Sequence, residues 1–175
     1  MVQANALRYE VLEGWEQLPA GYKHRDVAGV AVDSEDRVYL ICRGDHPIIV
    51  YDSGGRFLRS WGQGEFTYRT HGISVGPDEM LYCTDDGNHT IRKFTPDGKL
   101  LMTLGTMNTP SDTGYDGKDT GTVSRAAGPF NRPTNLAVGP TGDLYVSDGY
   151  GNCRVHQFSP TGRAQTVVGH AGRRS

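Results

Sequence analysis

The sequence predicts an all-β fold built from repeated four-stranded sheets, and composition, repetition and strand patterning all indicate it. Glycine accounts for 24 of the 175 residues, which is about twice its usual share of roughly 7%. Glycine is unfavourable inside helices and common in tight turns. Hydrophobic residues make up 36% of the chain and charged residues 22%. That balance favours a folded core over a disordered chain.

Three segments of the chain share one pattern and predict three repeats. They cover residues 30–62, 73–105 and 136–169, and the first two align without a gap. Each segment opens with a short apolar strand, at Val30, Ile73 or Leu136. Polar turns separate this strand from a second, a third and a fourth, and the fourth ends in glycine. Apolar alternation between Gly, Pro and Asp turns is typical of short antiparallel strands.

The length of each repeat predicts one blade of a β-propeller, since four strands in about 40 residues form such a blade. We therefore expect residues 1–175 to form a single partial propeller of three blades. Three blades do not close a ring, because propellers have roughly 4–8. Three arrangements follow as alternatives: a homodimer that completes a ring, a fragment of a longer protein, or a chain that binds a separate second half.

Two segments outside the repeats carry their own expectations. Residues 106–129 form an insertion rich in Gly, Thr, Ser and Asp, which predicts a solvated loop. Its acids Asp112, Asp116 and Asp119 could bind calcium but miss the EF-hand spacing. A long loop in a compact domain can also overhang a binding site. Upstream, residues 9–15 resemble the last strand of a repeat, so we expect an outer strand that belongs to another blade.

Charge, hydropathy and cysteine usage exclude several classes of protein. A net charge of −2 and a pI near 6.3 argue against a general nucleic-acid binder. No run approaches the roughly 20 apolar residues that span a bilayer, so no membrane partner is expected. Cys42, Cys83 and Cys153 are odd in number and lack CxxC spacing, which favours a reducing compartment. With no apolar leader at the N-terminus, a cytoplasmic location is expected.

Short motifs within the repeats resemble a known family. The run DGNHTI at residues 86–91, closing on Phe94, resembles the NHL repeat. RGDH at residues 43–46, His71-Gly72, FNRPTN at residues 130–135 and SDGYGN at residues 147–152 extend the resemblance to the peptidyl-α-hydroxyglycine α-amidating lyases. That family forms six-bladed NHL propellers, so the resemblance, over roughly residues 26–169, implies half of a ring. It also implies cleavage of the N–Cα bond of a peptidyl-α-hydroxyglycine to a peptide amide and glyoxylate.

The resemblance implies site residues and two metals. The family holds zinc with three histidines, and His71 matches one of them. Arg43 and Tyr150 match a catalytic arginine and a catalytic tyrosine. Val30 and Ile73 match two residues whose backbone carbonyls bind a structural calcium. The other two zinc histidines, a calcium-binding acid and a second arginine of the family have no match in this chain.

Comparison among the repeats singles out three of these residues without reference to the family. His71 aligns with Ala28 in the first repeat, and Arg43 aligns with an aspartate in the second, so neither is demanded by the blade. A neutral imidazole suits zinc, and a guanidinium suits bidentate capture of a carboxylate. Tyr150 lies in a turn with one inserted residue. As a phenolate it could accept a proton if a nearby cation lowered its pKa from about 10.

Structural roles for the same residues remain open at the level of sequence. His71 could hydrogen-bond water or a backbone carbonyl. Arg43 could form a surface pair with Asp45 or with a neighbouring blade, and Tyr150 could be an exposed turn residue. Two functions follow. The first is a zinc-dependent carbon–nitrogen lyase that acts on a small carboxylate-bearing substrate, incomplete or degenerate as a single chain. The second is a non-catalytic propeller segment that binds a protein or a small ligand.

Overall fold

Three antiparallel sheets, each of four strands, make up most of the computed structural model, which describes residues 8–170. The first sheet, blade 1, contains β1 (Asp26–Val32), β2 (Val38–Arg43), β3 (Ile48–Tyr51) and β4 (Phe57–Trp61). Blade 2 contains β5 (Thr70–Val75), β6 (Leu81–Asp85), β7 (Thr90–Phe94) and β8 (Leu100–Leu104). Blade 3 contains β9 (Asn135–Val138), β10 (Leu144–Asp148), β11 (Arg154–Phe158) and β12 (Ala164–Val168).

The strands of each blade are hydrogen-bonded in chain order, which confirms the predicted all-β fold of four-stranded propeller blades. The turn before the fourth strand of each blade contains a glycine with positive φ: Gly55 at 81°, Gly98 at 91° and Gly162 at 81°. Glycine adopts this left-handed conformation without steric cost. Part of the glycine excess therefore comes from one turn used three times.

Two apolar cores lie between neighbouring blades. Because side chains alternate across a strand, each blade presents one apolar set to the blade before it and another to the blade after it. The core between blades 1 and 2 consists of Tyr39, Ile41, Ile48, Val50, Ile73, Leu81, Cys83 and Phe94. The core between blades 2 and 3 consists of Tyr82, Ile91, Leu104, Phe130, Leu136, Leu144, Val146 and Phe158.

The N-terminal segment does not form the expected strand. Residues 9–15 contain no strand, and Tyr9 and Val11 are exposed. Instead, residues 15–22, here called the cap, cover the face of blade 1 that points away from blade 2. Trp15 lies 5.6 Å from Tyr51 between ring centroids, and Leu18 packs on the same cluster.

The opposite end of the row of blades is open. On the outward face of blade 3, Tyr145, Val155 and Val168 are 41%, 39% and 56% exposed. The residues at the same positions of blade 2 are only 2%, 1% and 7% exposed, because blade 3 covers them: Tyr82, Ile91 and Leu104. Blade 3 thus presents an apolar face of the kind that receives a neighbouring blade.

The remaining chain is short helix and loop. The insertion at residues 106–129 contains a single 3-10 turn at Thr120–Thr122, and a four-residue helix, α1 (Gly149–Asn152), follows β10. Within residues 8–170, no helix has both the length and the hydropathy needed to cross a bilayer.

Candidate functional site

The first strands of the three blades lie side by side, and a bulge in β5 places His71 where they meet. The register of β5 against β6 shifts between Thr70 and Gly72, so His71 is left without a partner in the ladder. A bulge of this kind re-aims the side chain of the extra residue. A Cβ on Gly72 would lie 2.8 Å from Asn135 Oδ1 in β9. Glycine therefore allows β5 and β9 to approach closely beside His71.

One cavity brings together the three side chains predicted to act. Arg43, at the end of β2, His71, in β5, and Tyr150, in α1, all line a pocket of about 320 Å³. Each comes from a different blade. The pocket is lined by five further residues: Arg25, Asp26, Tyr68, Arg69 and Asp86.

These five lining residues were not predicted from the sequence, although the repeats carry a signal for two of them. Arg69 and Asp86 occupy the positions in the second repeat that Asp26 and Arg43 occupy in the first. The first position is an acid in blade 1 and a base in blade 2, and the second position is the reverse. Comparing whole pairs across the repeats, instead of single residues, would have identified them.

Arg43 is weakly engaged within the protein. Its Nε donates a hydrogen bond to the carbonyl oxygen of Thr70 at 3.1 Å, which ties the guanidinium to blade 2. Its Nη1 lies 3.9 Å from Asp26 Oδ2, and the two side chains are 34% and 59% exposed. The partner is thus Asp26 and not Asp45. A long, exposed ion pair contributes little, so the guanidinium retains N–H groups for an anion in the pocket.

Arg69 is tightly held by a buried acid. Its Nε and Nη2 donate to the two carboxylate oxygens of Asp86, each at 2.6 Å, and the Asp86 side chain is 2% exposed. The hydrogen bonds to Asp86 raise the pKa of Arg69, against the opposing effect of burial. The charge of Arg69 is therefore neutralised by a bidentate partner, whereas the charge of Arg43 is not.

Tyr150 and His71 contact each other across the pocket. Their ring centroids lie 6.0 Å apart with the planes inclined at 63°. Tyr150 is 43% exposed. Helix α1 is a single turn that ends at Cys153, whose φ of 54° is left-handed. The turn thereby places the phenol ring of Tyr150 against the imidazole ring of His71.

The predicted metal ligands are only partly brought together. Val30 and Ile73 lie on adjacent strands, since a Cβ on the glycine before Val30 would be 3.3 Å from the Ile73 nitrogen. For zinc, no cluster of three or more His, Cys, Asp or Glu side chains is found among residues 8–170. Catalytic zinc takes about three protein ligands. His71 alone therefore does not fit zinc.

Comparisons with known proteins give one family match and several relatives. Residues 130–158 match the NHL repeat family. Rat peptidylglycine alpha-amidating monooxygenase is 30% identical over 89% of this chain and 19% of its own length. Drosophila melanogaster peptidyl-alpha-hydroxyglycine alpha-amidating lyase 1 is 33% identical over 62% of this chain and 18% of its own length. The chain thus spans less than a fifth of the length of these two relatives.

A solved structure supports the fold. Virginiamycin B lyase from Staphylococcus aureus superposes with a TM-score of 0.58 at 14% identity, over 84% of this chain and 42% of that protein. The chain is therefore built of β-propeller blades and carries an NHL-repeat match at residues 130–158. Within that class, the chain shows sequence homology to the amidating monooxygenases and α-hydroxyglycine lyases at about 30% identity.

Proposed function

We propose that this chain forms the substrate-binding half of a peptidyl-α-hydroxyglycine lyase site. One observation carries the proposal: Arg43, His71 and Tyr150, each from a different blade, line a single pocket of about 320 Å³. Homology to proteins named as peptidyl-alpha-hydroxyglycine alpha-amidating lyases supports the reaction class. A volume of that size suits a small ligand.

The chemistry of the substrate matches the groups in the pocket. A peptidyl-α-hydroxyglycine carries a carboxylate, a hydroxyl and an amide nitrogen on one carbon. Arg43 would bind the carboxylate in a fixed orientation. Tyr150 would accept the hydroxyl proton as the general base. The electron pair of the O–H bond then forms the carbonyl of glyoxylate, the N–Cα pair passes to nitrogen, and returning the proton to nitrogen gives the peptide amide.

A second half of the ring is part of this proposal. The open face of blade 3, with Tyr145, Val155 and Val168, would receive a sheet from a second copy of this chain or from another half-propeller. Such a half would also supply the further zinc and calcium ligands that the family uses. A second copy that closes a ring must displace the cap, since Trp15 lies where its sheet would pack.

The test measures glyoxylate released from a peptidyl-α-hydroxyglycine by the full chain, alone and with added zinc. We expect Arg43→Gln to weaken binding of the substrate about tenfold. Arg56→Gln is the matched control. Arg56 belongs to the same blade and pairs with an aspartate, but its side chain is 73% exposed and lies outside the pocket. Equal binding by both variants would contradict the proposal.

Metal analysis and light scattering accompany that assay. Stoichiometric zinc that is lost in His71→Ala supports the lyase. No bound metal, with stability unchanged on chelation, argues against zinc. A stable monomer argues against the homodimer.

A non-catalytic role in binding is the second candidate, favoured by the single imidazole in the pocket. In that case the chain binds the carboxylate-bearing substrate through Arg43 but releases no glyoxylate under any of the conditions tested. A protein partner instead of a small ligand would leave substrate binding unchanged in Arg43→Gln.

We also propose a cytoplasmic location. All three cysteines, Cys42, Cys83 and Cys153, are unpaired. Unpaired thiols are typical of reducing compartments.

A further inference from the structure

The insertion at residues 106–129 is docked on the protein at the turn that carries Tyr150. Polar side chains are buried there: Thr113 is 1% exposed, Asn131 is 6% exposed and Asn152 is fully buried. Buried polar groups are costly unless they are hydrogen-bonded. Their partners therefore show what this buried contact is built to hold.

Thr113 and Asn131 bind the residue that follows Tyr150 from both sides. The Thr113 hydroxyl donates to the carbonyl oxygen of Gly151 at 2.5 Å. The Gly151 amide donates to the carbonyl oxygen of Asn131 at 2.9 Å. A Cβ at position 151 would lie 2.8 Å from that same oxygen and closer still to the Asn131 side chain. Only glycine fits against Asn131 at this position.

The hydrogen bonds continue into the insertion. The Asn131 side-chain amide donates to the carbonyl oxygen of Ser111 at 3.0 Å. At the next residue of α1, the Asn152 side-chain amide donates to the carbonyl oxygen of Ala127 at 2.6 Å and to Asp148 Oδ2 at 2.8 Å. Two separate parts of the insertion, at Thr113 and at Ala127, are thus joined to the helix that holds Tyr150.

A single helical turn does not hold its own shape in water, because too few hydrogen bonds offset the cost of nucleation. Tyr150, which is 43% exposed, is not fixed by burial either. The position of its ring against His71 therefore depends on the backbone of α1. Thr113 and Asn131 fix that backbone at Gly151, next to Tyr150, and the Arg154 guanidinium donates to the Asn152 carbonyl oxygen after it.

We propose that the insertion is a clamp and that Thr113 and Asn131 are positioning residues for Tyr150. The clamp holds the phenol against His71 in the pocket. An effect of the clamp on catalysis rests on the proposed function. Its effect on the position of the Tyr150 ring does not depend on that function.

The test compares three variants of the full chain by NMR. Thr113→Val removes the hydroxyl at nearly constant volume, and Thr113→Ser restores it. Thr122→Val is the matched control, because the Thr122 hydroxyl bonds within the insertion, to the carbonyl oxygen of Asp119 at 2.6 Å. Two signals are read: hydrogen exchange of the Gly151 amide, and the ring-to-ring NOE between His71 and Tyr150, assigned with Tyr150→Phe.

We expect Thr113→Val to speed exchange at Gly151 about tenfold and to weaken the NOE, since a buried carbonyl loses its donor. Thr113→Ser should restore both signals, and Thr122→Val should leave both unchanged. The clamp is refuted if Thr113→Val behaves like Thr122→Val, or if Thr113→Ser fails to rescue.

If Thr113→Val does not fold, the unaltered chain provides the test. The Ser124 amide donates to the carbonyl oxygen of Thr113 at 2.9 Å inside the insertion. A clamp that opens as a unit gives Ser124 and Gly151 amides the same opening free energy, and clearly different values overturn the proposal. Loss of lyase activity in every protein, with these signals as expected, would refute the proposed function and leave the clamp supported.

Discussion

The pair formed by Arg69 and Asp86 should couple far more strongly than the pair at the same positions of blade 1. The perturbation is a double-mutant cycle: Arg69→Gln, Asp86→Asn and the double variant. The parallel cycle on blade 1 uses Arg43→Gln and Asp26→Asn. The two cycles compare the same repeat positions with the charges exchanged, so differences in blade geometry largely cancel.

The magnitudes follow from distance and exposure. The Asp86 side chain is 2% exposed and accepts two hydrogen bonds of 2.6 Å. Hydrogen bonds to charged groups contribute about 1.5–3 kcal/mol. Because the Arg69 side chain is 38% exposed, solvent screening reduces the expected coupling to about 2 kcal/mol. The blade 1 pair, 3.9 Å apart and exposed on both sides, should couple by no more than about 0.5 kcal/mol.

The assay is urea unfolding at neutral pH, followed by tryptophan fluorescence and circular dichroism. Coincident transitions from the two probes would justify a two-state treatment. Equal coupling energies in the two cycles, within about 0.5 kcal/mol, would refute the reasoning. In that case Arg43 would be as firmly held as Arg69, and the argument that its guanidinium is available to a substrate carboxylate would fail.

Three further predictions concern stability and association. Burial would raise the pKa of Asp33, but its hydrogen bonds, above all the one from the Arg37 side chain, lower that pKa below its ordinary value. The Asp33 carboxylate therefore contributes its full stability above about pH 4. That contribution is lost as the pH falls through the pKa of Asp33 in the folded protein. Unfolding followed from neutral to acidic pH should show a shallower loss in Asp33→Asn, and an unchanged slope would contradict this. Gly72→Ala should destabilise the chain by about 1–3 kcal/mol, because the new methyl group would lie 2.8 Å from a side-chain oxygen in β9. Gly149→Ala is the control, since a Cβ there would meet nothing within 4 Å. This variant should unfold like the unaltered chain. Val155→Lys, on the open face of blade 3, should abolish dimers in light scattering without altering circular dichroism, and dimers that persist would place the interface elsewhere.

The fold was predictable because its signals are local. Apolar alternation and glycine turns lie within each repeat, and three repeats reinforce one another. The N-terminal segment shows the limit of such signals. Residues 9–15 alternate like a fourth strand, yet Tyr9 and Val11 are 88% and 85% exposed. A strand requires the edge of a sheet with which to pair, and the segment's own pattern does not tell whether an edge is present.

The sequence singles out residues that depart from their repeat. Arg43 and His71 do so, and both line one pocket with Tyr150, while their roles in a reaction stay predictions. The insertion was harder, since its composition indicated a solvated loop. Thr113 and Val123 in it are nonetheless 1% and 6% exposed. Their burial comes from contacts with chain far away in sequence, which composition does not record.

The cap gives the row of blades a direction. A half-ring with two open ends could pair head to tail with a second copy and close a six-bladed ring. Among the described residues, Trp15 and Leu18 occupy the receiving surface of blade 1, whereas the outer face of blade 3 is open. Two copies that kept the cap in place would meet face to face through blade 3, and such a pair would leave the ring unclosed. A few apolar side chains ahead of the first strand would therefore decide between a face-to-face pair and a closed ring.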